Sequence, residues 1–421
     1  MRRVGAALAV LLSTANAWAA ADAPKPAPAA HRTPRAGEAY TTRIFGREVH
    51  VPARDLRKIF AVDLGLAATL PNTGGIPVVP FGALFVFWRP DTEQFADAVI
   101  AGIQNDVLAA WSPPGFGPFE IVGILRSSTI PAARSEIIAG EQREALEIEY
   151  GAVHVGAGLG YRRQVGLTVE EMMAFSLTVE PGYRYFERGS DTAASFEVPP
   201  DTFEIVVRAR FRYDDFERNL LSLIHSGFGF GAEALYGHRG KVASWGIDGL
   251  QDGREGADFG LVRGYLQGAR AVPFVESERQ RIAGAVHFGA GIDLDRFSAP
   301  RLGGGPDADQ FRAIRRPVIP GAALGEFYPD NYVILQGEYR YELAFFSYLG
   351  VRGSVSNISA NAESTPTQPE GRRWLSSIGT RLTTGFFFRS RMRFSYDYNF
   401  NVIRDGSSGG HAILFDLSRE F

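Results

Sequence analysis

Between Arg391 and Ile403 apolar and polar residues change places at every step. Met392, Phe394, Tyr396, Tyr398, Phe400 and Val402 fall on one side, and Arg391, Arg393, Ser395, Asp397, Asn399 and Asn401 on the other. That is the period-two signature of a strand with two unlike faces. An earlier stretch repeats it: Phe203, Ile205, Val207, Ala209, Phe211 and Tyr213 interleave with Glu204, Val206, Arg208, Arg210 and Arg212. Arginines facing lipid at the bilayer midplane would each cost about 2–4 kcal/mol. This face therefore points into a wet lumen if the strand belongs to a barrel, or into solvent if it belongs to a soluble sandwich.

Strand candidates follow almost without pause. They run over 60–70, 76–88, 97–111, 119–130, 145–162, 174–186, 203–213, 223–236, 259–273, 281–294, 331–343, 348–357, 374–388, 391–403 and 411–421. The connections alternate in length. Residues 187–202, 237–258, 295–330 and 358–373 are long; 214–222, 274–280, 344–347 and Arg389-Ser390 are shorter. Segregation of long loops from short turns is the habit of outer-membrane barrels, and a soluble sandwich has no reason for it. The pattern predicts an all-β fold, a transmembrane antiparallel β-barrel over residues 60–421. Both chain ends then lie on the short-turn, periplasmic side, which requires an even strand number. Fifteen candidates are visible, so sixteen strands are expected, with the extra one near residues 43–51; fourteen is the alternative. Within 145–162 the apolar phase changes near Gly151, which a β-bulge explains more simply than two strands.

The N-terminus changes the compartment. Arg2 and Arg3 precede an apolar run, Val4–Leu12, and Ala17-Trp18-Ala19 offers a cleavage site. Residues 1–20 read as a secretory signal peptide, and 21–59 as a Pro/Ala-rich periplasmic tail. No other stretch is apolar over the roughly 20 residues a spanning helix needs. With Cys 0, neither a disulfide framework nor a thiolate metal site is possible. The net charge of −3 carries no nucleic-acid footprint.

Candidate chemistry is sparse. There is no Gly-x-Ser-x-Gly elbow and no zinc or phosphate-loop spacing; no enzyme, cofactor or metal is expected. Gly156-Ala157-Gly158-Leu159-Gly160 sits in a strand and reads as small residues on a barrel wall. His225-Ser226 are adjacent on a strand and point to opposite faces. Glu170-Glu171 and Asp214-Asp215 are expected at turns, solvated. Trp88, Trp111, Trp245 and Trp374 lie near strand ends or in loops, as an interfacial aromatic belt would.

From Leu302 onward the order of features resembles the barrel of the BamA-like outer-membrane superfamily, the bacterial surface antigen family. Leu302-Gly303-Gly304 opens the long loop. Gln336-Gly337-Glu338-Tyr339-Arg340-Tyr341 matches the Glu-Tyr-Arg strand, and Leu349-Gly350-Val351 begins the next. Ile378-Gly379-Thr380-Arg381-Leu382 and Arg393-Phe394-Ser395-Tyr396 follow, and Phe421 closes the chain. The resemblance implies an inward-folded loop over 295–330. Its tip arginine, Arg312 in Phe311-Arg312-Ala313-Ile314, would meet Glu338, with Asn357 as a neutral acceptor where the family carries Asp. Arg315 rivals Arg312 for the tip, and the alternative is that Arg312, Arg315 and Arg316 are solvated loop charges. The resemblance further implies Phe421 as an assembly signal read by the barrel assembly machinery, placement in the outer-membrane bilayer, and insertion or translocation of a protein or lipid client through a weak first–last strand seam. The family's periplasmic partner-binding domains have no room in residues 20–59. A passive pore or surface antigen is the alternative.

The mature chain should require detergent to stay in solution, with a far-ultraviolet circular dichroism spectrum dominated by strand. Solubility without detergent, or substantial helix, would remove the barrel reading.

Overall fold

A computed structural model describes residues 32–421, apart from 45, 73–77, 92, 103, 130–133, 139, 166–171, 248–249, 252–255, 276, 306–316, 360–371, 386–388 and 405. The expected signal peptide, the start of the tail, Glu170-Glu171 and the tip arginines Arg312 and Arg315 lie outside the described residues.

Sixteen antiparallel strands close into one barrel. They are β1 (Lys58–Leu70), β2 (Val78–Trp88), β3 (Gln94–Ile100), β4 (Gln104–Trp111), β5 (Phe119–Thr129), β6 (Glu141–Gln164), β7 (Met172–Arg188) and β8 (Thr202–Arg218). The second half comprises β9 (Ile224–Arg239), β10 (Asp258–Ala271), β11 (Gln280–Ile292), β12 (Asn331–Ala344), β13 (Ser347–Ile358), β14 (Arg373–Gly385), β15 (Ser390–Arg404) and β16 (Ser407–Glu420). Each strand pairs with the next, and β16 returns to β1. Alternation sets the two faces. Leu177, Val179, Phe203, Ile205, Leu335, Val351, Phe394 and Phe400 are among the exposed outward side chains, a belt far larger than the apolar patches soluble monomers show. Trp88, Trp111 and Trp374 are exposed at strand ends, as expected for an interfacial belt, whereas Trp245 is buried among loops against Phe196 and Phe297.

The sixteenth strand is not where it was sought. Residues 97–111 hold two strands joined by a tight turn at Ala101–Gly102, where Gly102 takes φ +73° and Asn105 Nδ2 donates to its carbonyl at 3.0 Å. Gly102 and the polar run Gln104-Asn105-Asp106 reverse the chain, and the apolar residues before and after them read as one longer strand. Residues Tyr40–Ile44 and Arg47–Val51 instead form a separate hairpin outside the barrel.

The expected bulge at Gly151 is absent. β6 keeps one register with β7 from Gln164 to Ile148, and one with β5 from Tyr161 to Gly151. The strand does not flip; its apolar side does. Val153, Val155 and Leu159 face outward, exposed. Above them Leu146, Ile148 and Tyr150 keep the inward parity, buried against Phe186, Phe196 and Phe297. The upper part of β6 has risen past the apolar belt, where inside is the dry side. Asp214 is likewise not at a turn: it is buried mid-strand beside Arg212.

The seam between first and last strands is fully formed. His411–Glu420 pairs with Ala61–Leu70 without interruption, and Phe421 N donates to Phe60 O at 2.8 Å. β1 and β16 are both long enough for ten residues of each to be paired in this ladder. Among the described residues of these sixteen strands the shortest ladder is β2–β3, only Leu84–Trp88 against Ala96–Ile100; a further short strand, Arg134–Ile138, pairs with the upper part of β6.

Replacing outward-facing Leu177 with arginine should cost about 2–4 kcal/mol if this face meets hydrocarbon. The readout is the urea midpoint for loss of the compact electrophoretic band. A cost nearer zero would mean that the face does not.

Candidate functional site

The lumen is where the charged residues converge. On β8 the inward face carries Arg208, Arg210 and Arg212, as the alternation predicted, but they meet carboxylates rather than open water. Glu233 on β9 is buried and receives Arg208 Nη1 at 2.9 Å, Arg210 Nε at 2.9 Å and Arg263 Nη2 at 2.7 Å. Glu180 on β7 receives Arg208 Nε at 3.1 Å, with Arg126 of β5 3.7 Å away. Asp106 on β4 lies 3.7 Å from Arg210, across the barrel interior. The glycine run of β6 serves this arrangement. A Cβ at Gly156 would stand 2.7 Å from Glu180 Cγ, and one at Gly160 2.7 Å from Glu120 Cγ. These are small wall residues, as expected, and they clear space for the carboxylates. His225 is buried, while Ser226 donates to Glu217 instead.

The second charged field lies on the inner face of β12–β16. Glu338 accepts from Arg340 Nη2 at 3.0 Å, with Arg381 Nη1 4.0 Å away. Arg352 Nε reaches over β14 to donate to Asp397 Oδ1 at 2.6 Å. It can do so because Gly379 lies between them in register; a Cβ there would sit 2.0 Å from Asp397 Oδ1. Arg393 pairs with Asp416. Between them is a cavity of about 160 Å³ whose lining includes Arg218, Arg340, Arg352, Arg381, Arg391 and Arg393.

The expected lock does not assemble as drawn. Glu338 faces the lumen. Asn357 is on the opposite face of the wall: it pairs in register with Val333 and Trp374, both outward, and its Oδ1 accepts from Arg372 at 3.0 Å. Strand parity is the reason, since the lumen position beside Glu338 on β13 belongs to Arg352. Phe421 is exposed at the foot of the seam, its ring 5.8 Å from that of Phe60.

The described halves of the long loop between β11 and β12 fold inward. Leu302 pairs with Phe327 as an isolated bridge. Leu302, Ile319 and Ala322 are buried against Tyr332, Ile334, Ile358 and Val402 of the wall. Gly303 and Gly304 make the return possible, since a Cβ on either would lie 2.1 Å from the carbonyl oxygen of Ala323 or Ala322. Gln336 Nε2 donates to Val318 O at 3.0 Å, and Asn399 Nδ2 to Pro320 O at 2.8 Å.

The loop's charged anchors were not foreseen. Arg404, fully buried on β15, donates to Glu326 at 2.6 and 2.9 Å. Arg301 donates twice to Glu136 at 2.9 Å, and Arg296 stands 3.2 Å from the same carboxylate. Burial would depress the Arg301 pKa, but Glu136 outweighs it and holds it above the usual arginine value. Asp295 is gripped by Arg239. Burial would push that carboxyl up; the guanidinium holds it below the usual range. Sequence gave no handle on these pairs, because each joins residues from distant loops or strands.

The opposite mouth is also covered. Residues 32–57, expected to form part of a tail, lie across the short-turn end. Thr33 is buried: its hydroxyl donates to Glu342 at 2.6 Å and its amide to Glu278 at 3.0 Å. Ala36 N donates to Arg218 O at 2.8 Å, and Arg54 pairs with Glu420.

No family model and no curated protein matches the chain. Among solved structures, CdiB from Acinetobacter baumannii aligns over 91% of this chain and 65% of its own, with TM-score 0.51 and 9% identity. The chain thus has that barrel fold and spans just under two-thirds of that CdiB chain's length. BamA from Haemophilus ducreyi lacking POTRA domains 1-3 aligns over 91% of this chain and 75% of its own, at 11% identity and TM-score 0.49. CdiB from Escherichia coli aligns over 91% and 67%, at 12% identity and TM-score 0.47.

Glu326→Ala would leave the Arg404 guanidinium buried without its counter-charge. It should cost roughly 3–5 kcal/mol, with partial recovery in the E326A/R404M double variant, read by urea unfolding. Losses that simply add would show that the two residues do not act as a pair.

Proposed function

We propose that this chain is a plugged barrel of the BamA-like superfamily, resident in the bacterial outer membrane, that takes part in inserting or translocating proteins or lipids. The observation that carries this is that described chain segments are tied down at both mouths of the lumen. The long loop is anchored inside through Arg404–Glu326 and Glu136 with Arg296 and Arg301. The N-terminal segment bridges β8–β9, β12 and β16 at the other end. Segments tied down at both mouths suit a plugged barrel better than an open channel. The CdiB-like fold and the order of motifs from Leu302 to Phe421 support the same reading. In it the short-turn end is periplasmic, the bilayer and the barrel assembly machinery are the partners during biogenesis, and Phe421 contributes to recognition. Arg312, next to the anchored part of the loop, pairs with Glu338 in competition with Arg340 and Arg381. No covalent chemistry is required.

A passive pore or surface antigen is the competing reading. Planar-bilayer recording separates them. The intact chain should give low, unsteady conductance, and E326A should raise it by releasing the loop. In proteoliposomes, the intact chain should speed the folding of a small outer-membrane barrel supplied unfolded, or the transfer of a labelled lipid. Large, steady, ion-selective conductance from the intact chain, with no acceleration of either process, would favour the pore.

A further inference from the structure

The short-turn mouth holds a buried histidine that no pairing accounts for. His225 stands at the start of β9, on its inward face, and is 3% exposed. Its Nε2 has no hydrogen-bond partner among the described residues. A buried polar atom left in that state is costly, and such a site asks for a reason. The outer face of the wall is polar at this level. Ser226 and Glu217 are registered partners there, joined by a hydrogen bond, and the exposed apolar belt begins above them with Phe228. His225 therefore belongs to the mouth and not to the membrane-spanning part of β9.

Cations close around it from three elements. Arg340 of β12 donates through Nη1 to the carbonyl of Ile224, the preceding residue, at 2.9 Å. Arg281 of β11 is the registered partner of Arg340, so two guanidinium side chains share this corner. The third, Arg35, comes from the N-terminal segment. It bridges to Asn219 in the β8–β9 turn, and its Nε lies 3.3 Å from Glu217. Burial, and then Arg281, Arg35 and Arg340, hold the imidazole well below the usual histidine range. The carboxylates nearby are already engaged. Glu217 faces Arg35, Glu338 accepts from Arg340 Nη2 at 3.0 Å, and Glu278 and Glu342 both accept from Thr33. Arg218 of β8 adds a further cation, lining one cavity with Ile224 and Arg340. Of the three guanidinium groups around the ring, two are fixed to barrel strands. Arg35 is not: residues 32–57 join no barrel ladder among the described residues.

We infer that His225 is a proton-sensitive latch for the N-terminal segment: a proton on its ring drives Arg35 away and frees the short-turn mouth. The sign follows from linkage. With the segment seated, the ring stays neutral among the guanidinium groups. With the segment gone, the ring meets water and takes an ordinary histidine pKa of about 6.5. The released state thus binds the extra proton. The ratio of released to seated segment should change little above about pH 7, and rise by nearly tenfold per unit below about pH 6. Ordinary carboxylates titrate about two units lower, outside that range. The inference does not depend on the insertion reading, since it holds for any barrel whose short-turn mouth this segment covers.

Hydrogen–deuterium exchange on the full-length protein in detergent reads this ratio even where release is rare. The amides of Thr33 and Ala36 are both bonded in the seated segment, to Glu278 and to the carbonyl of Arg218. Their protection, corrected for the intrinsic exchange rate, should fall about tenfold between pH 7.5 and pH 5.5. Amides of the seam, Leu64–Leu70, should keep theirs. H225Q places a neutral side chain at the latch and should leave the segment's protection flat over the same range. E278Q, which removes a carboxylate but not the histidine, should keep the tenfold fall. Folding of each variant is checked by its heat-dependent gel shift. Should H225Q fail to fold, R35Q serves: it keeps the imidazole but removes the cation on the segment, and the fall should shrink. Flat protection in the unmodified chain would overturn the inference, as would a tenfold fall retained in H225Q or in R35Q. A parallel loss along the seam would also overturn it, because acid would then be loosening the barrel and not the segment.

Discussion

A strand that meets lipid on one side can carry charge only on the other, and the interior of this barrel is built on that restriction. Every inward position on β8 between Glu204 and Asp214 is used for charge except Val206. The carboxylates that answer them come from neighbouring strands and from across the lumen. Removing ions from water costs several kcal/mol each, recovered only where the geometry is close and the remaining hydrogen-bonding positions are filled. Glu233 meets that condition by collecting three guanidinium groups. Such a cluster holds its strands in one register, since a slip of one residue would carry arginines to the lipid face. Fixing the register and filling the interior are then the same act.

The charged arrangement thins towards β1. From β1 to β5 the inner face sets apolar residues beside Asp63, Asp97, Asp106, Glu120 and Arg126, and Arg162 borders the apolar cluster. Its guanidinium lies 3.6 Å above the Phe95 ring while pairing with Glu120 at 2.8 and 2.9 Å. On one side of this residue the interior is held by paired charges. On the other it is a small hydrophobic core inside the barrel, reached by Met172 from β7. A strand apolar on both faces has no alternation to display. Ala83-Leu84-Phe85-Val86-Phe87-Trp88 accordingly reads as an unbroken apolar run.

This explains which parts of the fold were legible. The alternating strands β8 and β12–β16 could be read to within a few residues, because each shows lipid and lumen as different chemistries. The turn at Gly102 was missed because it is only three residues long, and the polar run Gln104-Asn105-Asp106 that marks it already lies in the next strand. Gly151 misled for the converse reason: β6 passes out of the membrane, its dry side changes, and a constant register looks like a slipped one. At the candidate site, Glu338 could be placed by strand parity together with the motif. Asn357 was assigned by motif alone, and parity puts it outside. Arg404–Glu326, Arg301–Glu136 and Arg239–Asp295 had no local signature, because a pair made by two distant segments exists only once the barrel has brought them together.

The same reasoning bears on how the barrel could yield. Parting β16 from β1 would expose backbone groups along His411–Glu420 and Ala61–Leu70, each costing several kcal/mol where no water can replace the lost bond. It would also disturb Arg54–Glu420, through which the N-terminal segment is tied to the last strand. The β2–β3 ladder is half as long, and the segment above it carries no such tie among the described residues. Its inner face is held by hydrophobic contacts, which have no directional requirement and can be exchanged for contacts with another apolar surface at little net cost. β4 and β5 are themselves tied inward through Asp106–Arg126 and Glu120–Arg162. Movement of the barrel against the bilayer should therefore begin at the β2–β3 ladder, with the paired arginines of β8–β10 and β12–β16 holding the rest in place.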